Sequence, residues 1–99
     1  MNENSGRAPQ EALSWLLEGA LRGRIAILLW RQYPKALTVD EINDSLPRLS
    51  KSRIQQVLQK MYENGAIERS LRETGKPGPN PFQYKLNPLI NRVFNDGLK

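Results

Sequence analysis

The sequence predicts a mostly helical α+β fold: a three-helix core, a two-stranded hairpin, and an extra helix at each end of the chain. Three observations predict it. Apolar residues recur at three- and four-residue spacing in successive segments, the signature of helices with one buried face. Two short runs, "AIERSLRE" and "FQYKL", alternate instead and flank the proline- and glycine-rich "TGKPGPNP", which is how a hairpin reads. Capping residues and prolines fall at the segment boundaries.

The elements follow in order. Residues 1–8, "MNENSGRA", lack an apolar stretch and are expected to be a disordered tail. A single domain is expected over residues 9–99. Pro9 suits the first turn of a helix and Glu11 its positive end; Leu13, Leu16 and Leu17 form the apolar face, with Trp15 nearby. A break is expected between Gly19 and Gly23. Residues 22–33 form a second helix, apolar on most sides and therefore central, which Pro34 ends. Thr38 with Glu41 three residues later matches a capping box. Val39, Ile42 and Leu46 then point inward until Pro47 stops the helix.

Ser50 caps the next helix. Its apolar face is Ile54, Val57, Leu58 and Met61 at i, i+3, i+4 and i+7 spacing. Opposite lie Ser52, Gln55, Gln56 and Gln59, flanked by Lys51 and Arg53. Gly65 closes this helix in a left-handed conformation. Ile67, Arg69 and Leu71 share one side of the first strand; Phe82, Tyr84 and Leu86 share one side of the second. Asn87 and Pro88 begin a last helix with the stripe Leu89, Ile90, Val93 and Phe94.

Composition narrows the function. Ninety-nine residues, 38% hydrophobic and 25% charged, make one small folded domain with room for a modest core and little for a deep pocket. No apolar run approaches the roughly 18 residues that cross a bilayer, and cytoplasmic residence is the expectation. Cysteine and histidine are absent, which removes disulfides, thiolate metal sites and imidazole acid–base chemistry. Neither a metal nor a cofactor is expected. An enzyme is the weakest class, because no residue pair is set for acid–base work.

The net charge of +5 is localised. Residues 48–86 carry eight cations (Arg48, Lys51, Arg53, Lys60, Arg69, Arg72, Lys76 and Lys85) against Glu63, Glu68 and Glu73, while the rest of the chain has seven of each sign. Clustered positive charge captures polyanions; the bland alternative is a solvated basic surface. The polar helix face sharpens the choice. Glutamine bonds adenine N6 and N7 together, arginine or lysine bonds guanine O6 and N7, and acids there would be repelled by phosphate.

Helix, helix, turn, polar-faced helix, hairpin is the order of a winged helix-turn-helix. "LTVDEI", "LSKSRIQQVLQKMYENGAI" and "YKL" resemble the winged-helix transcriptional regulators of the ArsR/MarR type, over about residues 21–86. One apparent extra residue sits in the turn, at Pro47 or Arg48. The thiolate or imidazole metal sensing common in the ArsR group has no residues to support it. The resemblance implies that Lys51, Ser52, Arg53, Gln55 and Gln56 read bases, with Gln59 on bases or phosphate. It implies that the hairpin, through Arg72, Lys76, Asn80 and Lys85, touches the minor groove or phosphates. Prolines around Lys76 lower the entropy cost of placing it; otherwise the loop is a rigid solvent turn.

The terminal helices, residues 9–20 and 88–97, are expected to dimerise through Leu13, Leu16, Leu17, Leu89, Ile90, Val93 and Phe94. That would set two reading helices about one DNA turn apart on a roughly palindromic site. The alternative is that they cap the chain's own core. The expected function is thus a sequence-specific double-stranded DNA-binding protein, a transcriptional regulator acting as a homodimer. The alternatives are a winged-helix protein-interaction module in a larger assembly, or a plasmid-partition, replication or chromosome-organising protein.

Overall fold

The computed structural model describes residues 9–97. The tail expected at residues 1–8 lies outside them. Five helices and three strands run in the order α1 (Pro9–Glu18), α2 (Ala20–Gln32), β1 (Leu37–Thr38), α3 (Val39–Ser45), α4 (Lys51–Glu63), β2 (Ile67–Leu71), β3 (Phe82–Leu86) and α5 (Pro88–Gly97).

The break after α1 is narrower than the sequence suggested. Only Gly19 leaves the helical conformation, and α2 begins at Ala20. Gly23 is buried within α2; a Cβ there would meet the Leu16 carbonyl oxygen at 3.6 Å, an ordinary contact. Arg22 reaches back to the end of α1. Its Nε and Nη2 donate to the Trp15 carbonyl, in the last turn of α1, at 3.0 and 2.7 Å. The guanidinium carbon lies 4.2 Å from the centre of the Trp15 ring.

The sheet has three strands rather than two. β1 pairs antiparallel with β3, Leu37 opposite Tyr84, and gives the order β1-β3-β2. Two residues are too few to display alternation, so β1 read as the lead-in to a helix. The hairpin register places Ile67 opposite Leu86, Arg69 opposite Tyr84 and Leu71 opposite Phe82. Directly opposed residues share a face, so these six form the inner face, and Glu68, Ser70, Gln83 and Lys85 the outer one.

The core is built from Leu16, Ile25, Leu29, Ile42, Ile54, Leu58, Met61, Leu86 and Phe94, all fully buried. Here the expected dimer surface is corrected. α1 packs against α5 within one chain, so Leu16, Ile90 and Phe94 fill the chain's own interior. Trp30 stacks on Phe94 with ring centres 5.6 Å apart and donates from Nε1 to Asn95 Oδ1 at 2.7 Å. Leu13 and Val93 are half-buried. Of the seven residues, Leu17 (48%) and Leu89 (55%) remain largely exposed.

Candidate functional site

The site is organised by α4. Ser50 Oγ accepts the Arg53 N–H at 3.1 Å and starts the helix. Ile54, Leu58 and Met61 anchor it in the core. A rotation of 100° per residue then puts Ser52, Gln56, Gln59 and Glu63 at the outward pole. Lys51 and Gln55 take one flank, Arg53 and Lys60 the other. All six residues singled out on this helix, Lys51, Ser52, Arg53, Gln55, Gln56 and Gln59, are exposed.

The preceding turn is fixed by contacts that the sequence signalled only in part. The Thr38 capping box forms as expected: Glu41 N–H donates to Thr38 Oγ1 at 3.2 Å, and Thr38 N–H donates to Glu41 Oε1 at 2.9 Å. Asn43, not anticipated, donates from Nδ2 to the Leu49 carbonyl at 2.6 Å and to the Leu46 carbonyl at 3.5 Å. It therefore pins the longer turn, residues 46–50, between α3 and α4.

The hairpin lies along the Lys51 flank. Pro81 and Phe82 share a shallow depression with Lys51, Gln55, Val39 and Asp40. Asp40 sits 2.9 Å from Lys51 Nζ, with both side chains mostly exposed, so the pair is weak and screened. Further along, the Arg69 guanidinium carbon is 4.0 Å from the Tyr62 ring centre and 4.4 Å from that of Phe82. Arg69 Nη1 also donates to Gln59 Oε1 at 3.3 Å, and Gln59 Nε2 donates to Glu63 at 3.0 Å. Arg69 thus ties strand to helix, a role the sequence reading missed. Its signal was a single cation at an inward-facing strand position.

The four hairpin residues are placed differently. Arg72 is occupied: Nε donates to Gln83 Oε1 at 2.8 Å, Nη1 to Glu41 Oε2 at 2.9 Å and Nη2 to the Ala36 carbonyl at 2.8 Å. The Arg72 hydrogen bond, then that from Thr38 N–H, holds the Glu41 carboxyl below its usual range. Lys85 alternates onto the outer face, 3.9 Å from Glu68, away from α4. These two side chains are thus set apart from the loop tip. Lys76 is exposed at the tip, between Gly75 (φ +70°) and Gly78 (φ +100°), conformations that glycine adopts without steric cost. Asn80 Oδ1 accepts from Thr74 Oγ1 at 3.4 Å across the same loop. Tyr84 is buried under this face, and burial pushes its hydroxyl above the ordinary tyrosine value.

Among the described residues, no group of three or more carboxylate, thiol or imidazole side chains is placed to hold a metal. No helix there is long and apolar enough to cross a membrane.

No family model and no curated protein sequence matches the chain. Solved structures do. The diamide-treated form of YodB from B. subtilis superposes with a TM-score of 0.68 at 20% identity, over 92% of this chain and 85% of that one. The chain has the fold of YodB. The reduced form of the transcriptional regulator YodB gives 0.66 at 20% identity, over 93% and 88% of the two chains. At this identity the likeness to YodB is one of architecture, and it spans the terminal helices as well as the centre. This chain has no cysteine, so no thiol chemistry is open to it.

Proposed function

We propose that the chain is a sequence-specific double-stranded DNA-binding protein, a transcriptional regulator of the winged helix-turn-helix, ArsR/MarR type that acts as a homodimer. The observation that carries this reading is the face of α4. Lys51, Ser52, Arg53, Gln55 and Gln56 are exposed on its first two turns, with no acid on those turns and a lysine-tipped loop on the adjoining hairpin. Such a face combines base-edge donors and acceptors with phosphate-binding cations. The fold shared with a transcriptional regulator supports the same reading.

The geometry redistributes roles within it. Arg53, Gln55, Gln56 and Ser52 are the base-reading candidates, and Lys51 must release exposed Asp40 to contribute. Gln59 is engaged by Arg69 and Glu63, so phosphate or water suits it better than a base. Lys76 and Asn80 remain the candidates on the loop. Leu17 and Leu89, with half-buried Leu13 and Val93, are the apolar edge left for a second copy.

Selection from a random duplex library tests this directly. The expected outcome is a roughly palindromic consensus whose half-sites lie about one helical turn apart. Failure to enrich any sequence, with affinity independent of salt, would remove the reading. One observation favours a protein partner instead: Leu71 (57%) and Phe82 (44%) are exposed near the hairpin end. That reading expects retention of a partner by a chain that shows no duplex binding.

A further inference from the structure

The flank of α4 that faces away from the hairpin borders a groove of about 610 Å³, with Trp15 and Arg22 on one wall and Arg53, Gln56 and Lys60 on the other. No carboxylate lines it. Among the described residues, neither Arg53 nor Lys60 enters an ion pair, in contrast to Lys51, Arg72 and Lys85. Arg22 is already held in place by the Trp15 carbonyl and ring, so little side-chain freedom remains to be lost on binding an anion.

We propose that this groove receives the sugar-phosphate backbone of one duplex strand, the strand opposite the one beside the hairpin. The inference rests on the DNA-binding reading and adds Trp15, Arg22 and Lys60 to it, beside the base-reading Arg53 and Gln56. A helix with its side chains is about 10–12 Å across, and the major groove is about 12 Å wide. A helix seated there presents its two flanks to two different strands. On α4 one flank adjoins the hairpin, and the other carries Arg53 and Lys60 with Arg22 behind them. Arg53 and Lys60 are two turns apart, about 10 Å along the axis, while one strand presents a phosphate every 3.4 Å or so. Lys60 therefore meets phosphates well beyond the base that Arg53 reads. Trp15 belongs to the wall against which the sugars pack.

Lys60 isolates the claim, because its side chain is exposed, enters no ion pair among the described residues and has no part in reading bases. Duplex affinity is measured across a salt series for the wild type, Lys60→Ala and Lys60→Arg. The alanine variant is expected to flatten the slope of log affinity against log salt by about 0.9, and the arginine variant to restore it. Separately, with Trp30→Phe leaving Trp15 as the sole tryptophan, added duplex should reduce acrylamide quenching of its fluorescence. A wild type that binds no duplex overturns this inference together with the DNA reading. A wild type that binds, with an unchanged slope in Lys60→Ala or unchanged quenching of Trp15, overturns the groove alone.

Discussion

Arg72 Nη1 lies 2.9 Å from Glu41 Oε2, joining the residue just after β2 to the first turn of α3. The same guanidinium bonds Gln83 of β3 and the Ala36 carbonyl before β1. One side chain therefore holds four segments in a partly buried setting. Arg72→Ala is expected to cost about 1.5–3 kcal/mol in denaturant unfolding, the range for a hydrogen bond to a charged group. Arg72→Lys should recover little, because an ammonium cannot reproduce three divergent planar donors.

The same pair gives a pH dependence with a definite sign. Glu41 has its carboxyl lowered from 4.5 by the Arg72 hydrogen bond and then by Thr38 N–H. Its contribution is therefore complete above the ordinary carboxylate value and is lost as pH falls through the lowered one. Glu41→Gln keeps an acceptor for Thr38 N–H and removes the titration. Urea midpoints measured from neutral pH into acid should fall less steeply for the variant than for the wild type. Equal slopes would show that other carboxylates govern acid unfolding.

The sequence disclosed the helices well because their cues are local. Thr38 with Glu41, Ser50, Gly65 and Asn87 mark boundaries by chemistry that acts within one turn. The apolar period of α4 likewise revealed its outward face. What stayed hidden depends on contacts between distant segments. Whether the Leu16 and Phe94 stripes face a partner or each other is set by how α1 meets α5, which periodicity does not encode. Arg72 and Lys85 looked alike as hairpin cations. Only pairing with Glu41 and the strand register separated them from Lys76.

Lys76 and Arg53 are expected to fail differently. Lys76→Ala should weaken duplex binding about equally on all sequences and lower the salt slope by about one. Arg53→Ala should relax base preference at one position in each half-site, at a cost of about 1–3 kcal/mol on the preferred base. Lys85→Ala, on the outer face of the sheet, should leave both quantities unchanged. Competition binding against single-base-pair variants, repeated at two salt concentrations, separates the three patterns.

The absence of cysteine predicts indifference to thiol oxidants. Diamide oxidises thiols to disulfides, and this chain has none to offer. Duplex affinity and thermal stability of the purified chain should be the same with and without it. A change would require a target other than a thiol.

The two exposed leucines test the homodimer without touching the core. Leu17 and Leu89 lie on α1 and α5 and are about half exposed, whereas Phe94 on α5 is fully buried. A glutamate at an exposed position costs the monomer little, but at a two-fold interface the same patch occurs on both subunits, so each substitution buries two unpaired charges. Leu17→Glu with Leu89→Glu is therefore expected to give a folded monomer with an unchanged helical circular dichroism spectrum. Its mass by light scattering should halve, and duplex affinity should drop steeply because half-sites are then bound singly. Phe94→Ala should instead destabilise the fold itself by about 3–5 kcal/mol. A double variant that keeps the wild-type mass and affinity would place the dimer contact elsewhere or leave the chain acting alone.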